Sequence, residues 1–247
     1  MKKWGSFGEE SLHWDTDRFI MAACVGIDSG VIVNSAIAAE DQLDLLKNAI
    51  HAVRSPASSI WDLADTVLAT KQETLDEQTR TDIAQIQDLA RQVLAAADAM
   101  AMLMRVEIFE PSLVSVEIAD VVGEAIRRYD ASHGVNRKTV HVSLPPEMPL
   151  VDVAPEWIAQ ATYMLICQCS YRASQNTEIN LSITMNDGFV TVSIIAEHPA
   201  DIAFNGIWDL ELLTVDHIMM QHQGKFWTEK CADQIAGYNY SLPVVAP

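Results

Sequence analysis

The chain has 247 residues, a hydrophobic fraction of 49% and a formal net charge of −18, from 34 acidic and 16 basic residues. This length and composition are those of a folded protein with room for two modest domains. The negative field repels phosphate backbones and anionic lipid, which argues against nucleic-acid binding and direct membrane binding. The four cysteines contain no Cys-x-x-Cys pair. We therefore expect buried thiols in a reducing, cytoplasmic compartment and no metal site.

The first 37 residues lack a sustained helical period, and we expect an N-terminal arm there. Residues 19–39 are mostly apolar, but Asp28 near their centre would be expensive in hydrocarbon. We therefore expect a buried strand and turn over these residues rather than a membrane span. Residues 30–34 resemble the tail of a PAS-type sensor domain, which implies that the arm is a remnant of a sensor segment.

A long amphipathic helix is predicted over residues 38–69. Its apolar residues recur with alternating gaps of three and four, as in helices that pair in a bundle. This first apolar row consists of Leu43, Leu46, Ile50, Val53, Ala57, Ile60, Ala64 and Val67. His51 lies beside the row, Ser55 follows one turn later on the same side, and Pro56 favours a kink just beyond.

A polar turn over residues 70–78 leads into a second predicted helix over residues 79–106. The second apolar row has the same spacing and consists of Ile83, Ile86, Ala90, Val93, Ala97, Met100 and Met104. One antiparallel hairpin cannot bury two such rows by itself. We therefore predict that residues 38–110 form a hairpin that pairs with a second copy in a dimeric four-helix bundle.

Residues 111–247 predict a second, α+β domain, with a layer of helices on one mixed sheet. Helices are expected over residues 116–133, 155–173 and 209–221. Strands are expected over residues 139–144, 179–185, 189–195, 224–229 and 238–242. The turn Asn186-Asp187-Gly188 is a strong indication of a hairpin between two of these strands.

The segment His51-Ala52-Val53-Arg54-Ser55-Pro56 resembles the H-box of sensor histidine kinases. The pattern of that box is His, acid, any residue, Arg, Thr or Ser, Pro. In the family the histidine takes phosphate from ATP and passes it to an aspartate of a response regulator. The resemblance implies that His51 is a phosphoacceptor and that Arg54 and Ser55 orient the phosphoryl oxygens. Ala52 departs from the pattern, because the family carries there the acid that serves as base for autophosphorylation.

The order of elements after residue 110 resembles the ATP-binding domain of the same family, which is a Bergerat-type α/β sandwich. Residues 146–152, 223–229 and 238–243 carry this likeness. Together with the H-box, the resemblance covers about residues 40–247. It implies a helical hairpin followed by a histidine-kinase ATPase-like domain.

The helix that holds Mg²⁺ in the family lacks its metal ligand in this chain. Cys167 stands where the metal-binding Asn belongs, and a thiol is a poor ligand for Mg²⁺. Gln168 has a suitable oxygen, but one residue along a helix is a rotation of about 100°, so we expect it to turn away.

The two glycine-containing boxes of the family are also replaced. Ala196 stands at the Asp that binds the adenine amino group, and Ala200 at a glycine that follows it. Asp209 and Glu211 stand at the glycines whose amides approach the phosphates, where side chains obstruct and carboxylates repel phosphate. The resemblance therefore implies a nucleotide-binding fold kept as a scaffold, without ATP or another cofactor.

Three functions are compatible with this resemblance. The first is a phosphorelay protein that passes phosphate through His51 to or from a response-regulator aspartate without using ATP. This is the role of histidine phosphotransferases with a vestigial ATPase domain. The second is a non-catalytic pseudokinase that binds a kinase or a regulator, and the third is an active autophosphorylating kinase. The intact His51, Ser55 and Pro56 favour the first, and the replaced nucleotide residues argue against the third. The expected partners are a second copy of the chain and a receiver domain.

Overall fold

The computed structural model of the protein describes residues 32–71, 73–133, 138–146, 148, 150–174, 177–196, 206–231 and 234–245. The chain divides after Leu46, so the residues before that point are described separately from Lys47–Pro247. In the first part, residues 32–46 are helical. Within the described ranges, no helix combines the length and the apolar character that a bilayer crossing requires.

Helix α1 covers Ile32–Lys71 and begins six residues before the expected position. The prediction of a strand and turn is wrong for residues 32–39, which are helical; three alanines within residues 36–39 favour this conformation. Most of the predicted arm, residues 1–31, and the start of the PAS-like run lie outside the described residues. The helix continues through Pro56.

Helix α2 covers Glu77–Ile108 and is capped by Asp76. The Asp76 carboxylate accepts hydrogen bonds from the backbone N of Thr79 at 2.9 Å and from its Oγ1 at 2.6 Å. These bonds lower the pKa of Asp76 and satisfy a backbone donor that the first helical turn leaves open. The turn is therefore shorter than predicted, because the cap starts α2 two residues early.

Two side-chain contacts join α1 to α2. Arg54 Nη1 lies 3.2 Å from Asp98 Oδ1, and Gln87 Nε2 donates to Asp65 Oδ1 at 3.0 Å. Residue numbers rise along one helix as they fall along the other, so the two helices form the predicted antiparallel hairpin.

The rest of the chain alternates short strands and helices. The elements are β1 (Val114–Glu117), α3 (Ile118–His133), β2 (Val140–Ser143), β3 (Leu150–Val153), α4 (Pro155–Arg172), β4 (Ile179–Asn186), β5 (Phe189–Ala196), α5 (Gly206–Gln221), β6 (Lys225–Cys231) and β7 (Gln234–Pro243). Strands β1 and β3 form a separate antiparallel pair that the sequence analysis missed, because four residues are too few for a clear alternation.

The main sheet has five strands in the order β2-β4-β5-β7-β6. Strands β2 and β4 run parallel and the other neighbours antiparallel, so the sheet is mixed, as predicted. Asp187 and Gly188 both have positive φ, 49° and 78°, as a tight hairpin turn between β4 and β5 requires.

Helix α4 is the centre of the α/β core. Eleven of its residues are buried, and one strip along the helix, which includes Glu156, Tyr163 and Cys167, is exposed or half-buried. Thr162 Oγ1 on α4 and the Tyr240 hydroxyl on β7 share a hydrogen bond of 2.8 Å. Helix α2 contributes Ala99, Met102 and Val106 to the same core, so the hairpin packs against the α/β domain.

Candidate functional site

His51 lies exposed on α1, and so do Arg54 and Ser55. An exposed neutral imidazole is a nucleophile that can form a bond to phosphorus. The Ser55 carbonyl accepts a hydrogen bond from Ser59 Oγ at 3.2 Å within the same helix. The structure therefore leaves the histidine accessible to a partner that approaches α1 from the side.

Arg54 points across the hairpin to Asp98 on α2, at 3.2 Å, with 57% of the arginine and 38% of the aspartate side chain exposed. Burial raises the pKa of Asp98, and the Arg54 charge opposes this increase. Asp98 was not among the residues predicted from the sequence. A sequence feature that distinguishes it is its position as the only charged residue between Arg91 and Arg105. A single charged side chain in such an apolar segment needs either a partner of opposite charge or exposure to solvent.

The structure brings together two residues that the resemblance assigns to different nucleotide boxes. Gln168 on α4 is fully buried and its Nε2 donates a hydrogen bond to Glu211 Oε2 on α5. Glu211 is 4% exposed, and burial raises its pKa to about 7. The Gln168 hydrogen bond opposes this increase, whereas the charge of Asp98 adds to it. Gln168, which we expected to turn away from the position of Cys167, thus contacts a residue that the resemblance assigns to another nucleotide box.

Cys167 is half-buried, and burial raises the pKa of its thiol to about 12. Cys169 is buried, its pKa is also raised to about 12, and its Sγ lies 3.9 Å from the Ile194 carbonyl oxygen. Thiols with such pKa values stay protonated at neutral pH, and a protonated thiol is neither a nucleophile nor a metal ligand. Across the described ranges, no group of three or more His, Cys, Asp or Glu is arranged to hold a metal ion.

The remaining residues assigned to the nucleotide site are only partly placed. Ala196 is buried at the end of β5, where its Cα pairs with that of Ile179 on β4. Asp209 belongs to the first turn of α5. Ala200 lies outside the described residues.

The resemblance assigns Glu211 to a position where the family has a glycine that approaches the phosphates of ATP. When ionised, a carboxylate repels phosphate, and the protonated Cys167 thiol offers no hard oxygen to Mg²⁺. The side chains at these assigned positions therefore do not match the contacts that the family makes with Mg²⁺ and ATP.

A second set of contacts joins α2 to the α/β domain and was not anticipated from the sequence. Gln92 Nε2 donates to the Tyr171 hydroxyl at 3.4 Å, and the Arg91 guanidinium lies 5.6 Å from the centre of the Tyr171 ring. Near the other end of the contact, His217 Nδ1 on α5 lies 2.5 Å from Glu107 Oε1. Helix α2 is thereby held against α4 and α5 along much of its length.

The fold is that of histidine kinases with a helical region and an ATPase-like domain. Full-length ShkA, crystallised in complex with AMPPNP, matches with a TM-score of 0.55 at 14% identity. The match covers 81% of this chain, which spans 46% of the length of ShkA. At this identity the likeness concerns the fold alone, and it confirms the predicted fold class of a helical region followed by an ATPase-like α/β domain.

Two other solved structures are similar at lower scores. The histidine kinase AdeS of Acinetobacter baumannii matches at 14% identity and a TM-score of 0.49, over 78% of this chain and 96% of its own. The mycobacterial sensor histidine kinase MprB matches at 14% identity and a TM-score of 0.43, over 53% and 97%. No protein-family model matches the sequence, and no curated protein matches it.

Proposed function

We propose that this chain is a phosphorelay protein that carries phosphate on His51, to or from an aspartate of a response-regulator receiver domain, and does not use ATP itself. One relationship supports this proposal more than any other. The candidate phosphoacceptor His51 is exposed, whereas Glu211, which the resemblance assigns to a phosphate-binding glycine, has its carboxyl buried against Gln168.

Transfer of a phosphoryl group from an aspartyl phosphate to His51 requires little catalysis beyond positioning. The imidazole nitrogen forms a bond to phosphorus, the bond from phosphorus to the receiver carboxylate breaks, and the imidazole proton passes to solvent. Such a mixed anhydride is already activated, so positioning supplies most of the remaining rate increase. The acid that the family uses against ATP is absent at Ala52 and is not needed for this step. A metal ion held by the receiver would neutralise the transferred charge.

The docking surface for a receiver is proposed to be apolar, because the chain is strongly acidic and a receiver site is acidic too. Leu94 on α2 is half-buried and belongs to neither apolar row, so it remains available for this surface when the rows are covered in a dimer.

Transfer from a phosphorylated receiver tests the proposal. The full-length chain is mixed with labelled receiver domains from the same genome, and acid-labile label is followed on the chain. His51→Ala should abolish the label, and His141→Ala, which removes an exposed histidine of β2, should leave it unchanged. Label that survives in His51→Ala, or the absence of transfer from every receiver, would favour the alternative of a non-catalytic pseudokinase that binds a kinase or a regulator.

A further inference from the structure

Asp98 occupies a junction between the hairpin and the α/β domain. Its carboxylate pairs with Arg54 of α1 at 3.2 Å, and it interacts electrostatically with Tyr163 on α4 and Glu211 on α5. Its neighbour Ala99 is fully buried, and the Ala99 carbonyl accepts a hydrogen bond from Thr214 Oγ1 of α5 at 3.4 Å. The backbone beside Asp98 is therefore fixed against the second domain.

Arg54 is close to His51 on the helix surface. Three residues along an α-helix correspond to a rotation of about 60° from the starting direction and a rise of about 4.5 Å. A free arginine side chain on an exposed helix samples many rotamers, and ordering it has an entropic cost. The ion pair with Asp98 restricts those rotamers before any phosphoryl group arrives.

We propose that Asp98 is a positioning residue: through its ion pair with Arg54 it holds the guanidinium beside His51, ready for the oxygens of the transferred phosphoryl group. This inference rests on the proposed function of His51. Because Asp98 stands on a helix that is packed against α5, the α/β domain serves the transfer site as a rigid support. A guanidinium held in advance can hydrogen-bond two phosphoryl oxygens with little further loss of freedom.

The test compares variants of the full chain in two reactions with His51. The first donor is the phosphorylated receiver, and the second is phosphoramidate. With phosphoramidate the bond from phosphorus to nitrogen breaks, ammonia leaves, and the imidazole nitrogen takes the phosphoryl group. The small donor reports on the surroundings of His51 without receiver docking.

Asp98→Asn should lower kcat with the receiver about 10- to 100-fold, and the rate with phosphoramidate by a similar factor. The KM for the receiver should change less than about twofold, because the inference has Asp98 act on the transfer step through Arg54. Asp98→Glu keeps the charge and should recover part of the loss. Asp62→Asn, the same exchange at an exposed position of α1, is the matched control and should transfer like the wild type.

A charge exchange separates positioning from mere stability. The double variant Arg54→Asp with Asp98→Arg restores an ion pair across the hairpin but moves the cation away from His51. It should melt near the wild-type temperature and remain slow in transfer. Wild-type rates in Asp98→Asn, or recovered transfer in the double variant, would overturn the inference while the proposed function stands. A wild type that accepts no label from any receiver refutes the proposed function, and the phosphoramidate rates then still decide whether Asp98 affects His51.

Discussion

The side-chain amide of Gln168 on α4 donates a hydrogen bond to the buried carboxyl of Glu211 on α5. The Oε1 atom of Gln168 has no hydrogen-bond partner in the part of the chain that the structure describes. Burial of Glu211 raises its pKa, and the hydrogen bond from Gln168 opposes this increase because an N–H donor stabilises the carboxylate.

The stability of the protein should decrease with rising pH because of Glu211. The pKa of Glu211 is about 7 in the folded chain, against an ordinary value of 4.5. The unfolded chain therefore releases this proton first as pH rises. The contribution of the neutral acid is fully present below pH 4.5 and is lost as pH rises to about 7, by at most about 3 kcal/mol.

Glu211→Gln replaces the acid by a neutral group of similar shape and should remove this contribution to the pH dependence. Urea unfolding between pH 4.5 and 8 should show the variant more stable than the wild type at pH 8 by about 1–3 kcal/mol. Glu73→Gln, at an exposed position in the turn between α1 and α2, is the control. Equal pH profiles for wild type and Glu211→Gln would mean that Glu211 is ionised in the folded chain.

Mg²⁺ with ATP should not bind usefully. The resemblance assigns Cys167, Ala196 and Glu211 to the metal, adenine and phosphate contacts of the family, and a carboxyl group at the phosphate position would repel the nucleotide. Calorimetry should show no saturable heat up to millimolar nucleotide, whereas a histidine kinase with intact boxes should give heat under the same conditions. Binding of Mg²⁺ with ATP at micromolar affinity would instead support the alternative of an active autophosphorylating kinase.

The chain should form a homodimer through the hairpin. Val53 and Ile60 of the first apolar row are 50% and 46% exposed, and Ile86 of the second is 48% exposed. Both rows therefore have apolar side chains that a single chain leaves exposed. Light scattering at micromolar concentration should give about twice 27.3 kDa. Val53→Glu should weaken the dimer about 100-fold or more, since a charge would be buried at the interface.

Leu144→Glu provides the matched control for the dimer, because Leu144 is equally exposed, at 50%, but lies after β2 in the α/β domain. It should leave the dimer unchanged. A stable, folded wild-type monomer at these concentrations would contradict the four-helix bundle.

His222 should make the protein less stable in acid. Its Nε2 accepts a hydrogen bond from the Ala154 backbone at 3.0 Å, and its Nδ1 lies 2.7 Å from the Ile218 carbonyl oxygen. Protonation of Nε2 would abolish the first bond, and burial lowers the pKa of His222. The unfolded chain therefore takes up the proton first, and this contribution to stability is lost as pH falls below about 6.5.

His222→Asn should remove the acid dependence due to this group and cost about 1–3 kcal/mol at pH 8, because a buried backbone donor loses its acceptor. Urea unfolding between pH 5 and 8 measures both effects. His141→Asn, at an exposed histidine paired with Glu178 at 2.8 Å, is the control and should cost less than about 1 kcal/mol. A wild type whose acid dependence equals that of His222→Asn would show that folding does not lower the pKa of His222.

Several elements could be predicted from the sequence because local physics decides them. The alternating gaps of three and four predicted both hairpin helices, and Asn186-Asp187-Gly188 predicted the turn between β4 and β5. Helical periodicity and the residue preferences of turns depend on a few neighbouring residues, so they can be recognised in the sequence without knowledge of the rest of the fold. The accessibility of His51 also followed, since it lies beside the first apolar row and outside it.

Other features were decided only by the tertiary structure. Helix α2 has a second buried face, formed by Ala99, Met102 and Val106. The sequence pattern predicted only the second apolar row of this helix, which was expected to pack against other helices of the bundle. Gln168 contacts Glu211, although Cys167 one residue earlier was the expected site residue, because the sequence of α4 does not show which of its sides faces α5. The pairing of Arg54 with Asp98 joins residues 44 positions apart. Which of many exposed charges meet across a hairpin depends on its register and on packing against α5, and neither is encoded in a local pattern.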